Sequence, residues 1–219
     1  MSTNMEHARQ SLITAAQDAE ALRLNIGTTG NISARLNDGM LITPSGIPPK
    51  ELKTELIVAM DLNGIWSGSV RPSTEWALHA AIYKARPEVH AVMHAHPDHC
   101  VALSCARESL PAFHYMIAGF GGDDVRCSEY ASFGSPELAR LTVEALEKRT
   151  ACLLANHGMV AVGASVAEAF GRTIKLETLV RQFILCRSFS EPVLLTRSDM
   201  SDVKQRYKAG YGRQSPLPA

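Results

Sequence analysis

The apolar positions change period several times along the chain, and each change predicts an element. Near the start, Ala8, Leu12, Ala15 or Ala16, Ala19 and Leu22 recur three or four residues apart, which places them on one helical face. An amphipathic helix is therefore expected over residues 4–24, ending near Asn25 and Gly27. Residues 32–36 then alternate, Asn37-Asp38-Gly39 offers a turn, and residues 40–43 complete a predicted β-hairpin. A rigid proline-containing loop, 44–49, closes that unit. Residues 56–62 and Ile65-Trp66 flank Asn63-Gly64 and predict a second hairpin on the same sheet. Dense apolar positions between 76 and 82 predict a buried helix over 75–85, with Ser73 or Thr74 as its N-cap.

Further along, the pattern predicts a strand over 89–96, a helix over 97–106, and extended segments at 112–118 and 125–127. Ser135-Pro136-Glu137 opens a helix reaching 148, with proline at its first position. A strand pair at 151–155 and 159–162, a long helix over 165–186 and a short C-terminal helix follow. Strands interrupted by helices, without strict alternation, imply an α/β fold with a mixed, partly antiparallel sheet covered by helices. No linker-like stretch divides the 219 residues, so a single domain, 1–219, is expected.

Lys and Arg total 22, as do Asp and Glu, and no block of like charges stands out. A non-specific nucleic-acid binder is not expected. Five cysteines without Cys-x-x-Cys spacing argue against a disulfide framework and a structural zinc knot. They read as small core residues in a reducing compartment. The polar-rich N-terminus lacks the character of a secretory signal, and no apolar run of about 20 residues offers a membrane span. The expectation is a soluble cytoplasmic protein.

Candidate chemistry centres on Met93-His94-Ala95-His96 and Asn156-His157-Gly158, each following an apolar run. Residues i and i+2 of a strand share a face and lie about 6.6 Å apart, so His94 and His96 can converge on one ion. His157 can supply the third ligand of an open catalytic zinc site. Ordinary half-buried strand histidines and a turn histidine also satisfy the pattern. His7, His79, His90, His99 and His114 carry no motif role and read as surface or core histidines.

Glu75 follows Pro72-Ser73-Thr74 at a helix start. There it is either a charge favoured by the helix dipole or, if that helix start abuts the metal, a general base. Thr28 and Asn31 in a glycine loop, Ser45 and Gly46 in Thr43-Pro44-Ser45-Gly46, and Ser73 with Thr74 offer small donors for an anion. Singly, such residues commonly serve turns and caps. Gly27-Thr28-Thr29-Gly30 fits neither the Walker nor the dinucleotide pattern.

Taken in order, Gly-Thr-Thr-Gly-Asn-Ile-Ser at 27–33, Leu-Ile-Thr-Pro-Ser-Gly-Ile-Pro at 41–48, Pro-Ser-Thr-Glu-Trp at 72–76, Val-Met-His-Ala-His at 92–96, Pro-Ala-Phe-His-Tyr-Met-Ile-Ala at 111–118, Tyr-Ala-Ser-Phe-Gly at 130–134 and Ala-Asn-His-Gly at 155–158 resemble the class II aldolase/adducin family. The resemblance covers nearly the whole chain. It implies a three-layer fold, a largely antiparallel sheet with helices on both faces. It also implies reversible, metal-dependent cleavage of a (deoxy)ketose 1-phosphate, such as L-fuculose 1-phosphate, to dihydroxyacetone phosphate and an aldehyde.

By the same resemblance His94, His96 and His157 would bind Zn²⁺, one ion per subunit, and Glu75 would be the acid-base residue beside it. Thr28, Asn31, Ser45, Gly46, Ser73 and Thr74 would hold the phosphate. Tyr115 would reach the site of an adjacent subunit in a homotetramer, Phe133 would line the aldehyde pocket and Tyr211 would close over it. Aldolases of 5-deoxyribulose or 5-methylthioribulose 1-phosphate would share these residues. Family epimerases carry an aspartate at the position of Glu75 and an acidic residue near 114–116, both absent here. A dehydratase of the family, or a non-catalytic adducin-like interaction module, completes the set of readings.

Overall fold

Strand alternation divides the buried side chains into two clusters, one on each face of a seven-stranded sheet. The structure is a computed structural model and describes residues 2–210. Its strands are β1 (Asn31–Leu36), β2 (Gly39–Ile42), β3 (Val58–Asp61), β4 (Ala91–Ala95), β5 (Cys127–Ser128), β6 (Ala151–Leu154) and β7 (Gly158–Gly163). Their order across the sheet is β3-β2-β1-β4-β7-β6-β5, and every pair is antiparallel except β5–β6.

On one face Ile32, Leu41, Met93, Ala95, Leu153 and Met159 pack against helices α1 (Ser2–Ala21), α3 (Asp98–Cys105) and α5 (Val166–Arg187), with Met200 of α6 (Arg197–Lys208). On the other, Met40, Ile42, Val92, Cys152, Val160 and Val162 pack against α2 (Trp76–Ala85) and α4 (Pro136–Ala145). Neighbouring residues of one strand, such as Val92 and Met93, thus feed opposite cores, as a period of two requires. This is the expected mixed, largely antiparallel sheet with helices on both faces. No helix among the described residues is long and apolar enough to cross a membrane.

Several boundaries differ from the periodic pattern for local reasons. The first helix stops at Ala21 because Arg23 turns left-handed (φ 56°) and Leu24 N–H returns to Ala19 O at 2.8 Å, a Schellman-type end. Ile65 and Trp66 form no strand, only a Met60–Trp66 bridge. The Asp61 carboxylate accepts from Asn63 N–H and Ile65 N–H, both at 2.8 Å, and tightens the turn. The latter part of the segment 112–118, expected to extend, instead enters a 3₁₀ helix (Tyr115–Phe120), because His114 Nδ1 accepts from Met116 N–H at 3.2 Å.

The N-cap position of α2 is Glu75 rather than Ser73 or Thr74, and its side chain makes no cap bond. Ser73 Oγ instead accepts from Glu75 N–H at 3.3 Å. The α4 helix ends at Ala145, short of 148, where Lys148 is left-handed (φ 55°).

Candidate active site

Antiparallel register places Asn31 of β1 directly opposite His94 of β4, on a shared face. His96 follows β4 by one residue, and its backbone N–H is held by Leu24 O at 3.2 Å and Asn25 Oδ1 at 2.9 Å. His157 belongs to the three-residue connection between β6 and β7, where left-handed Asn156 (φ 54°) reverses the chain and His157 N–H bonds Leu154 O at 3.0 Å. Glu75, 7% exposed, enters from the start of α2. One ligating atom each from Glu75, His94, His96 and His157 lies within 4.8 Å of the others.

Hydrogen-bond direction fixes the orientation of His94. Its Nδ1 is 2.9 Å from Met159 O, which can only accept, so Nδ1 carries a proton and Nε2 is the nitrogen turned toward the cluster. That nitrogen faces His96 Nε2 at 2.8 Å and Glu75 Oε2 at 3.1 Å. Burial, then the charge of His94, pushes His96 down to about 3 and His157 to about 4, against a weaker upward pull from Glu75. Burial pushes the Glu75 carboxyl up, but the His94 hydrogen bond and charge, with His157 and Asn31, outweigh it and leave the group well below the carboxylate range.

Glu75 Oε1 is buried and accepts no hydrogen bond; His157 Nε2 stands 3.4 Å away. Imidazole nitrogens aimed at one another beside an orphaned carboxylate oxygen are a donor set for a divalent cation. The nitrogen and oxygen ligands suit Zn²⁺ or a neighbouring transition metal, and the Met159 carbonyl supplies the outer contact that orients a ligating imidazole.

The cluster forms one wall of a cavity of about 340 Å³. Thr28, Asn31, Ser45, Gly46, Ser73 and Thr74 line it beside Glu75, His96 and His157. Gly30 (φ +71°) makes the loop possible, since a Cβ there would meet Asn25 side-chain atoms at 2.3–2.5 Å, and Asn25 is the residue that holds His96. Hydroxyls, glycine-loop N–H groups and the N-terminus of α2 make this wall suited to an anion.

Of the residues anticipated from sequence, Phe133 also lines the cavity, and fully buried His94 lies behind it in the cluster. Tyr115 does not line the cavity of its own chain; 38% exposed, it stacks on His114 with ring centroids 4.8 Å apart. Tyr211 lies outside the described residues. Among residues to which the sequence gives no site role, three stand out. Tyr130 and Asn156 line the cavity and stand within motifs that drew attention only to Phe133 and His157. His79 is wholly buried and bonded to Asn31 and Ser33; its position four residues after Glu75, one helical turn, was the available signal.

A helix-covered mixed sheet whose central strands β1, β4 and β7 border a Glu/His cluster beside a hydroxyl-lined cavity is an architecture of the class II aldolase type. Residues 10–184 match the family described as Class II Aldolase and Adducin N-terminal domain, and the chain belongs to that family. It is 43% identical over 211 residues to a 5-methylthioribulose-1-phosphate/5-deoxyribulose-1-phosphate aldolase of Rhodospirillum rubrum, covering 96% of this chain and 95% of the relative. It is 40% identical over 206 residues to an L-fuculose phosphate aldolase of Escherichia coli K12, covering 94% and 95%. A solved L-fuculose 1-phosphate aldolase superposes with a TM-score of 0.88 at 40% identity, covering 92% of this chain and 96% of that one.

Proposed function

We propose that this protein is a zinc-dependent aldolase that reversibly cleaves a deoxyketose 1-phosphate, such as L-fuculose 1-phosphate, to dihydroxyacetone phosphate and an aldehyde. The observation that carries this reading is the convergence of Glu75, His94, His96 and His157 beside a pocket walled by hydroxyl and glycine loops. An interaction module without chemistry would have no use for a buried carboxylate with an orphaned oxygen, which costs free energy unless a cation offsets it.

Held by His94, His96 and His157, Zn²⁺ would act as a Lewis acid toward the negative charge that develops as C3–C4 breaks. Thr28, Asn31, Ser45, Gly46, Ser73 and Thr74 anchor the phosphate, fixing the three-carbon end that becomes dihydroxyacetone phosphate. In cleavage, Tyr115 of a neighbouring subunit takes the C4 hydroxyl proton while its own phenolic proton passes to solvent; the C3–C4 electron pair passes into an enediolate, and the aldehyde departs. Glu75 delivers a proton to C3 of that enediolate, and removes it in the reverse direction. Exposure of Tyr115 away from its own cavity supports exchange between subunits, and with it a homotetramer whose sites lie at interfaces. Tyr211 is assigned to closure over the site.

The cavity lining also includes Tyr130, Ala131 and Phe133. Its aromatic and methyl surface suits a substrate that ends in a methyl or thioether, not a hydroxyl. This favours deoxyketoses and makes 5-deoxyribulose or 5-methylthioribulose 1-phosphate the second reading, in line with what the Rhodospirillum relative is named for. Five free cysteines support a reducing, cytoplasmic setting, and one continuous sheet supports a single domain over 1–219.

Incubating the zinc-loaded protein with fuculose, rhamnulose, 5-deoxyribulose and 5-methylthioribulose 1-phosphates, each with a chelator control, tests the proposal. Chelator-sensitive dihydroxyacetone phosphate from a deoxyketose is the expected result. None from any substrate would overturn it.

A further inference from the structure

A row of buried polar groups leads away from Glu75 into the core between β1 and α2. Asn31 Nδ2 donates to Glu75 Oε2 at 3.1 Å; Asn31 Oδ1 faces His79 Nε2 at 2.5 Å; His79 Nδ1 faces Ser33 Oγ at 2.7 Å; and Ser33 Oγ faces Tyr83 Oη at 2.8 Å. His79 and Ser33 are 0% exposed and Tyr83 1%. Two periodicities build the row. Asn31 and Ser33 are alternate residues of a strand, so both face α2, while Glu75, His79 and Tyr83 are spaced one helical turn apart.

Only one set of proton positions satisfies the row up to Ser33. Glu75 is ionised and accepts, so the Asn31 amide nitrogen must face it and the Asn31 carbonyl oxygen must face His79. His79 must then carry its proton on Nε2 and present a lone pair at Nδ1, and Ser33 O–H must donate to that lone pair. With its proton so used, Ser33 Oγ accepts from Tyr83 O–H. Each group dictates the orientation of the next, and a buried row that is satisfied throughout is rigid.

We infer that His79 is a positioning residue of the reaction: through Asn31 it holds the Glu75 carboxylate in the orientation from which it exchanges a proton with substrate carbon. The inference rests on the aldolase reading, and neither His79 nor Ser33 borders the cavity. Asn31 does border it, and after bonding Glu75 its amide nitrogen keeps a second hydrogen for a substrate oxygen. One amide therefore couples the substrate to the carboxylate that acts on it. Without the Nε2 proton of His79, Asn31 Oδ1 loses its donor, and the amide is held by Glu75 alone and can pivot together with the carboxylate.

Two variants separate positioning from packing. Ser33→Ala removes one oxygen from a small core side chain and frees His79 to adopt the other tautomer. His79→Asn keeps an acceptor near Ser33 but no longer reaches Asn31, whereas His79→Gln places an amide N–H where Nε2–H was. For zinc-loaded protein of unchanged metal content and melting temperature above assay conditions, deuterium exchange at C3 of dihydroxyacetone phosphate should slow by between about tenfold and a hundredfold in Ser33→Ala and His79→Asn. The KM should stay within about threefold of the parent and His79→Gln should recover most of the rate. In parallel, ¹⁵N-histidine NMR of the unaltered protein should show His79 as the Nε2–H tautomer, and Ser33→Ala should show a smaller share of that tautomer.

Exchange as fast as the parent's in both variants would overturn the positioning role while leaving the aldolase reading intact. An Nδ1–H tautomer in the unaltered protein would overturn the proton assignment itself. Absence of any exchange or cleavage by the unaltered protein would instead overturn the aldolase reading, and the positioning role with it.

Discussion

Gly158 opens β7 directly beside the end of β4, so close that a Cβ on it would lie 2.6 Å from both Ala95 O and His96 Cδ2. The residue that follows one histidine of the cluster in sequence is thus packed against another in space. His96 and His157 are brought together by a backbone approach that only glycine permits, and the geometry of the cluster inherits the rigidity of the sheet.

Gly158→Ala must therefore displace His96 or part the two strands. It should lower unfolding free energy by about 1–3 kcal/mol, the usual cost of overpacking, and reduce zinc stoichiometry in the folded protein. Gly171, on α5 with no atom near its would-be Cβ, is the control. Gly171→Ala should leave zinc content unchanged and raise stability by about 0.5–1 kcal/mol through helix propensity. Urea titrations and metal analysis check both, and equal behaviour of the two variants would remove the significance of the Gly158 contact.

Glu177 of α5 ties down the helix that follows His96. Its carboxylate accepts from His99 N–H at 3.2 Å and Cys100 N–H at 3.0 Å, with His99 Nδ1 at 2.6 Å. Replacing it with alanine strands the first-turn donors of α3 and should cost about 1–3 kcal/mol. The urea midpoint reads this directly, and an unchanged midpoint would show that water replaces the carboxylate without loss.

Stability should also fall with acid. Burial, reinforced by the charge of His94 and opposed by Glu75, pushes His79 down to about 3 from an ordinary 6.5. The unfolded chain takes up a proton near pH 6.5 that the folded chain refuses until about 3. The stabilisation is complete above pH 6.5 and is lost as pH falls below it, by about 1.4 kcal/mol per pH unit for this residue alone. His96 and His157 are lowered in the same direction, and bound metal competes with their protons. Chelator-treated protein should therefore show a flat urea midpoint from pH 8 to 7 and a declining one from 6 to 5; a midpoint that rises on acidification would contradict these assignments.

The histidines were legible in sequence because their geometry is local: His-x-His on a strand, and a histidine in a tight connection after an apolar run. Both faces of the sheet were legible for the same reason, since a period of two is visible without knowing the partner strand. The His79 row was not, although its two halves were. Spacing shows that Glu75, His79 and Tyr83 share a helix face and that Asn31 and Ser33 share a strand face, but only packing of β1 against α2 joins them. Side-chain acceptors defeated periodicity elsewhere. His114 Nδ1 turns an apolar run into a 3₁₀ helix, and the Asp61 carboxylate keeps Ile65 and Trp66 from pairing as a strand.

The most direct test of a metal site with Glu75 as its proton carrier compares the parent with Glu75→Gln in D₂O, following the C3 hydrogens of dihydroxyacetone phosphate by NMR. The parent should exchange one of the two C3 hydrogens in a zinc-dependent manner, and Glu75→Gln should keep its zinc yet lose at least about a hundredfold of that rate. Exchange at the parent rate in Glu75→Gln, or loss of zinc with the carboxylate, would contradict the assignment of the histidines to the metal and of Glu75 to the proton.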